Sequence, residues 1–131
     1  MTNDNEKVSY WIDLAEYDLK TAEAMLETKR LLYVGFMCHQ TIEKILKAYY
    51  VKKTEDTPPF THNLSMLANQ TKIYDKLKED HKDLLDTLEP LNIEARYPTD
   101  KQKIFNSLTH NKCEDIIDKT RRLAKCIKNQ L

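Results

Sequence analysis

Glycine is almost missing from this chain of 131 residues: it occurs once, and proline occurs four times. One glycine cannot supply the turns of a multi-stranded β-protein. It also excludes the glycine-rich loops, of the GxGxxG or GxxxxGK type, that bind phosphates in many nucleotide-binding proteins. The scarcity of both residues favours an all-helical chain.

Cysteine is scarce as well, and no long apolar run is present. Cys38, Cys113 and Cys126 show no CxxC spacing, and on one helix the last two would lie about 20 Å apart, too far for a disulfide. We therefore expect free thiols in a reducing compartment. The segment MTNDNEKVSYW has neither the basic nor the apolar region of a signal peptide, and no apolar run reaches the roughly 18 residues of a membrane span. The expectation is a soluble cytoplasmic protein.

An excess of one charge is also absent, because 21 Lys and Arg residues are balanced by 21 Asp and Glu residues. Bulk attraction to a polyanion is not implied, so any nucleic-acid site has to be a local patch. No His, Cys, Asp or Glu residues show the spacing of a metal site such as HExxH, and we expect neither a metal nor a cofactor. The length suits one domain, residues 1–131, with a modest core that would gain from a partner.

Helical periodicity is the main positive signal in the sequence. Apolar residues recur at spacings of three and four in residues 7–28, 33–53 and 111–130. This pattern predicts three long amphipathic helices. Asp4 or Asn5 is placed to cap the first of them.

The remaining helices are predicted to be shorter. One should begin at Thr61, after the TPP sequence that ends the second long helix, and another should cover residues 80–92. Pro90 should end or kink the latter, and residues 94–109 show no clear pattern. These segments together predict an all-α fold, an antiparallel up-and-down bundle of four to five helices.

A polar strip lies opposite the apolar face of the second long helix. Lys44 and Lys47 could bind phosphates there, while Gln40 and Glu43 could orient a base or a ribose. An ordinary solvated helix face, an i, i+4 ion pair of Glu43 with Lys47, or a dimer seam would show the same spacing. The strip consists of Phe36, Gln40, Glu43, Lys47 and Tyr50, with Lys44 beside it.

The sequence Arg96-Tyr97-Pro98 forms a second candidate site. Proline biases Tyr97 towards an extended conformation, and the arginine and the tyrosine ring could bind a phosphate and stack on a base. In the structural alternative, Tyr97 packs on the bundle and Arg96 pairs with a carboxylate such as Glu43 or Asp18.

His62 is a third candidate, at the predicted start of the third helix. It could act in acid–base chemistry or contact a phosphate. The structural alternative is a local hydrogen bond that organises the helix start. Cys38 and Cys113 fall on apolar stripes and are interpreted as core residues.

Four short motifs occur in order along the chain: W...A..DL..A from Trp11, F...Q..EK.LKA from Phe36, TH.L from Thr61 and RYP from Arg96. Together, over residues 8 to 128, they resemble the HEPN domain, named for nucleotide binding in higher eukaryotes and prokaryotes. The resemblance implies a helical bundle that usually forms a homodimer. It also implies, for many bacterial members, a minimal nucleotidyltransferase partner in a toxin–antitoxin-like pair.

Some HEPN proteins are metal-independent ribonucleases that carry an Arg and, after four to six residues, a His. This chain departs from that motif, because residues 101–103 after Arg96 are Lys, Gln and Lys. The resemblance therefore implies a non-catalytic nucleotide- or RNA-binding module. The alternatives are a divergent ribonuclease that uses Arg96 with His62 or His110, and a purely structural helical dimer module. The predicted site residues are Lys44, Lys47, Arg96 and Tyr97, followed by Gln40, Glu43 and His62.

Overall fold

The computed structural model describes residues 3–131, and this range contains helices and loops but no strand. No helix in the described range combines the length and the apolar character needed to cross a membrane. Six α-helices follow one another along it: α1 (Asp4–Glu27), α2 (Leu31–Thr54), α3 (Leu64–Gln70), α4 (Glu79–Leu88), α5 (Pro98–Ser107) and α6 (His110–Lys128).

The all-α bundle predicted from the sequence is confirmed, with six α-helices in the described range where four or five were expected. The additional helix is α5, which lies in the segment without a clear pattern. Pro98 is its first residue, where the missing N–H of proline costs no hydrogen bond. Pro90 lies in a 3₁₀ turn, Glu89–Leu91, so α4 ends before the proline as expected.

Asparagine side chains cap two of the helices. Asn3 caps α1 by accepting a hydrogen bond at 2.8 Å from the backbone N–H three residues further on, so the expectation of Asp4 or Asn5 was wrong. Asn63 caps α3 in the same way at 2.9 Å, and α3 therefore begins after Thr61 instead of at it. Each cap satisfies a backbone donor that the first helical turn leaves free.

The three long helices pack around one another. Residues 28–30 join α1 to α2, so these two helices form an antiparallel hairpin. Arg121 of α6 pairs with Glu23 of α1 at 2.8 Å, and Lys128 pairs with Glu16. Since residue numbers rise along α6 as they fall along α1, α6 also runs antiparallel to α1.

Helix α2 lies at the centre of the core. Cys38 on α2 and Cys113 on α6 are fully buried, which confirms their interpretation as core residues. Burial raises the pKa of the Cys38 thiol to about 12 and also raises that of Cys113, so both remain protonated and unreactive. Other fully buried side chains of the core are Val34, Ile42, Leu46, Leu64, Leu67, Leu85, Leu88, Leu123 and Ile127.

The single glycine allows a loop to approach α2 closely. A Cβ atom at Gly35 would lie 3.0 Å from Cδ1 of Leu91 and 3.5 Å from its Cβ. Leu91 ends the 3₁₀ turn that follows α4, and a second 3₁₀ turn, Ile93–Ala95, begins after Asn92. Gly35 thus lets the first of these turns pack closely against α2.

Candidate functional site

The polar strip of α2 is largely buried. Glu43 and Lys47 are only 3% and 7% exposed, and Nζ of Lys47 donates a hydrogen bond to Oε2 of Glu43 at 3.1 Å. The same ammonium group lies over the ring of Trp11 on α1, 5.5 Å from its centroid. The carboxylate and the face of the ring together stabilise a cation that burial would otherwise disfavour. The solvated-face alternative was therefore wrong for these two residues.

Lys44 forms a second ion pair, between α1 and α2. Its Nζ atom donates to the carboxylate of Asp18, and the two side chains are 20% and 12% exposed. Both lysines predicted to bind phosphate thus face a carboxylate of the same chain. Neither offers uncompensated positive charge, and a phosphate would have to displace the carboxylate partner.

Glu43 also connects α2 to the segment before α3. Its Oε1 atom accepts a hydrogen bond from Nδ1 of His62 at 2.8 Å. Because an ionised carboxylate only accepts, Nδ1 of His62 carries the proton in this contact. The side chain of His62 is 54% exposed. The local hydrogen bond considered for the His62 side chain was wrong, since its partner is Glu43 on α2 and Asn63 caps α3.

His39 is fully buried beneath this contact, and its role was not predicted from the sequence. Its Nε2 atom lies 3.1 Å from the carbonyl oxygen of His62, which can only accept, so Nε2 carries the proton. Its Nδ1 atom then accepts a hydrogen bond from Nε2 of Gln40 at 3.3 Å. Burial lowers the pKa of His39 to about 4, so the imidazole is neutral near pH 7.

The Arg96-Tyr97-Pro98 sequence lies at the start of α5. Tyr97 is extended, with φ −71° and ψ 156°, as the following proline predicts. Its side chain is 80% exposed, so the structural alternative, in which Tyr97 packs on the bundle, was wrong. Nη2 of Arg96 donates to the carbonyl oxygen of Glu89 at 3.0 Å. The carboxylates of Glu43 and Asp18, considered as its partners, are held by other side chains.

An open pocket of about 240 Å³ lies between α2 and the turns around residues 89–95. Two predicted site residues, Gln40 and His62, line the pocket. Glu43 lies outside the lining and holds His62 in position through a hydrogen bond. Arg96 and Tyr97 follow the lining residue Ala95 in the sequence but do not line the pocket themselves. Lys44 and Lys47 also lie outside the lining. The pocket is lined by Phe36, Gln40, His62, Asn92, Glu94 and Ala95.

Another groove of similar volume lies between α4 and α6. Its charged residues belong to the surface: Lys119, for example, pairs with Asp115 at 2.8 Å, and both side chains are about half exposed. Exposed pairs of this kind contribute little free energy and are common between amphipathic helices. Within residues 3–131, no three His, Cys, Asp or Glu side chains come together as ligands for a metal ion.

The fold and the site define a small all-α domain in which a polar pocket lies beside a central helix with a buried Glu–Lys–His network. The model of the HEPN domain family matches residues 8–130, and the chain belongs to this family. The fold is also similar to that in the crystal structure of TT1696 from Thermus thermophilus. The TM-score is 0.80 at 18% sequence identity, over 95% of this chain and 98% of that chain. No curated protein matches the chain in sequence.

Proposed function

We propose that the chain is a single-domain nucleotide- or RNA-binding module that takes a nucleobase into the pocket beside α2. The observation that carries this proposal is the composition of the pocket, where the ring of Phe36 meets the polar side chains of Gln40, His62 and Asn92. Ligand pockets commonly combine apolar walls with a few placed polar groups. A nucleobase matches this combination, because it has apolar faces and polar edges. The exposed ring of Tyr97 nearby offers a further surface for stacking.

The charges around the pocket support a role for a protein partner. Lys44 and Lys47 are already paired with carboxylates, and Glu94 adds an acidic side chain to the lining. Arg96 is partly buried and engaged with a carbonyl oxygen. The phosphates of a bound nucleotide would therefore rely on positive groups from another protein. A nucleotidyltransferase in a toxin–antitoxin-like pair, as the family resemblance implies, is the partner we propose.

Titration of the purified protein with ATP and with a short single-stranded RNA tests ligand binding. Ala95 lines the pocket, so Ala95→Trp should fill it and weaken binding at least about tenfold. Ala24→Trp is the matched control, because Ala24 is an exposed alanine outside the pocket. If neither ligand binds below about 1 mM, the nucleotide-binding proposal fails and a structural module without a ligand replaces it.

Co-purification tests the protein partner. The nucleotidyltransferase encoded beside this protein, where one exists, should form a complex with it, and the complex should bind ATP more tightly than the chain alone. A complex with unchanged nucleotide affinity would contradict the proposed division of the ligand between two proteins.

A homodimer is proposed as the assembly of the chain. Tyr10, Leu14 and Tyr17 follow one another along one side of α1, and the two tyrosines are 59% and 71% exposed. Burying these side chains against a second copy would remove apolar surface from water. In sedimentation experiments Tyr17→Glu should give monomers, whereas Phe105→Glu, at an exposed position on α5, should not. A monomeric unsubstituted protein would refute this assembly.

The contact between Glu43 and His62 favours a second candidate function, that of a divergent metal-independent ribonuclease. A carboxylate that orients a partly exposed imidazole is a common arrangement for a general base. An RNA degradation assay should then show cleavage that Arg96→Ala and His62→Ala both abolish. His81→Ala is the control, because His81 lies on α4 and does not line the pocket. Intact RNA with the unsubstituted protein rules the ribonuclease out.

A further inference from the structure

We propose that Gln40 makes the pocket selective for nucleobases with an exocyclic amino group, and that His39 is the positioning residue that orients Gln40. The inference rests on the proposed function, since it takes a nucleobase to be the group that enters the pocket. It adds which chemical group of the base is recognised and which two residues are responsible for that recognition.

The orientation of Gln40 follows from a chain of hydrogen bonds. The carbonyl oxygen of His62 requires a proton on Nε2 of His39, which leaves a lone pair on Nδ1. Nε2 of Gln40 lies 3.3 Å from that lone pair and donates to it. The reversed amide would place Oε1 against the same lone pair, where two acceptors repel each other. Oε1 of Gln40 is therefore left for a ligand in the pocket, together with the second N–H of Nε2.

Other lining groups add to the excess of acceptors. Glu94 contributes a carboxylate, and the side-chain amide of Asn92 contributes its Oδ1 atom as an acceptor. The side-chain amides of Asn92 and Gln40 also carry N–H groups, one of which Gln40 donates to His39. A ligand edge that donates hydrogen bonds is favoured by such a lining, and an edge that only accepts is disfavoured.

Exocyclic amino groups are donors of this kind. Adenine, cytosine and guanine each carry one, at N6, N4 and N2. The selectivity for the amino group should stay constant around pH 7, because His39 remains neutral there. Burial lowers the pKa of His39, and the nearby carboxylate of Glu43 opposes this effect only in part. The other titratable groups that act on this ring are His62 and Arg96, and both disfavour a positive charge on it.

The test compares pairs of nucleotides that differ only in the amino group. One pair is adenosine monophosphate and purine riboside monophosphate, and the other is guanosine monophosphate and inosine monophosphate. The amino-bearing member of at least one pair should bind about tenfold more tightly. Gln40→Leu should reduce this ratio to about one, while Gln102→Leu, at an exposed glutamine on α5, should leave it unchanged.

His39→Phe tests the positioning role. It keeps an aromatic ring in the core and removes both hydrogen bonds, so the ratio should fall towards one even where overall affinity is retained. A purely structural role would weaken both members of a pair equally and leave the ratio unchanged, which would overturn the role of His39. Should this variant not fold, Gln40→Lys decides: a donor in place of the acceptor should reverse the preference. Equal binding within both pairs by the unsubstituted protein overturns the inference but not the proposed function, whereas no binding at all overturns both.

Discussion

Acidification should destabilise this protein through His39, and the size of the effect follows from its burial. The pKa of His39 is lowered from the ordinary 6.5 to about 4 in the folded protein. Between these two pH values the unfolded chain binds a proton that the folded chain does not, so the free energy of unfolding falls as the pH falls. A difference of 2.5 pKa units corresponds to about 3 kcal/mol, reached when the pH approaches 4. Above pH 6.5 this residue should contribute no pH dependence.

Urea unfolding followed by circular dichroism at several pH values measures this effect. His39→Gln removes the titrating group and keeps one donor and one acceptor in the side chain. Its stability should fall less steeply with acidification than that of the unsubstituted protein, and groups common to both proteins cancel in the comparison. His110→Gln, at an exposed histidine, should retain the full slope. Parallel curves for the unsubstituted protein and His39→Gln would refute the reasoning about His39.

Three further predictions concern stability and use urea midpoints as the readout. Gly35→Ala should gain little stability from helix propensity, because the added Cβ would lie 3.0 Å from Leu91. In a Leu91→Ala background the same change should stabilise the protein by about 1 kcal/mol. Equal effects in both backgrounds would contradict the contact between Gly35 and Leu91. Glu89→Ala should cost about 2 kcal/mol, since its carboxylate accepts hydrogen bonds from the first two backbone N–H groups of α3. Glu89→Gln, which keeps an acceptor, should cost less, and similar losses would argue against this cap. Glu43→Gln should cost roughly 3 kcal/mol by leaving the ammonium group of Lys47 buried without its partner. Adding Lys47→Met should recover part of that loss, and no recovery would contradict the pairing.

The long helices could be predicted from the sequence because their signal is local. Each carries an apolar stripe at the helical period, and the predicted limits differ from the observed ones by at most three residues. Helix α5 gave no such signal, since none of its residues is buried. The start of α3 was misplaced for a different reason. It depends on Asn63 and on the distant carboxylate of Glu89, and neither contributes to periodicity.

The candidate site was predicted only in part, because its chemistry depends on contacts between segments distant in sequence. The spacing on α2 identified Gln40, but it could not show that Asp18 on another helix neutralises Lys44. Asn92 and Glu94 belong to irregular turns and carry no periodic signal. His39 was missed although one clue was available: a histidine in an apolar helix, four residues before a glutamate, is placed for a buried polar contact.

The three-residue link between α1 and α2 has a consequence for the order of folding. Contacts between segments close in sequence form at a low entropic cost, so this hairpin is the natural nucleus, and the ion pair of Asp18 with Lys44 forms within it. The turns around residues 89–95 reach α2 only after a much longer stretch of chain has been ordered. These turns, which line the pocket, should thus be the last part of the fold to form during refolding and the first to unfold under mild denaturant. The hairpin of α1 and α2 should remain folded under the same conditions.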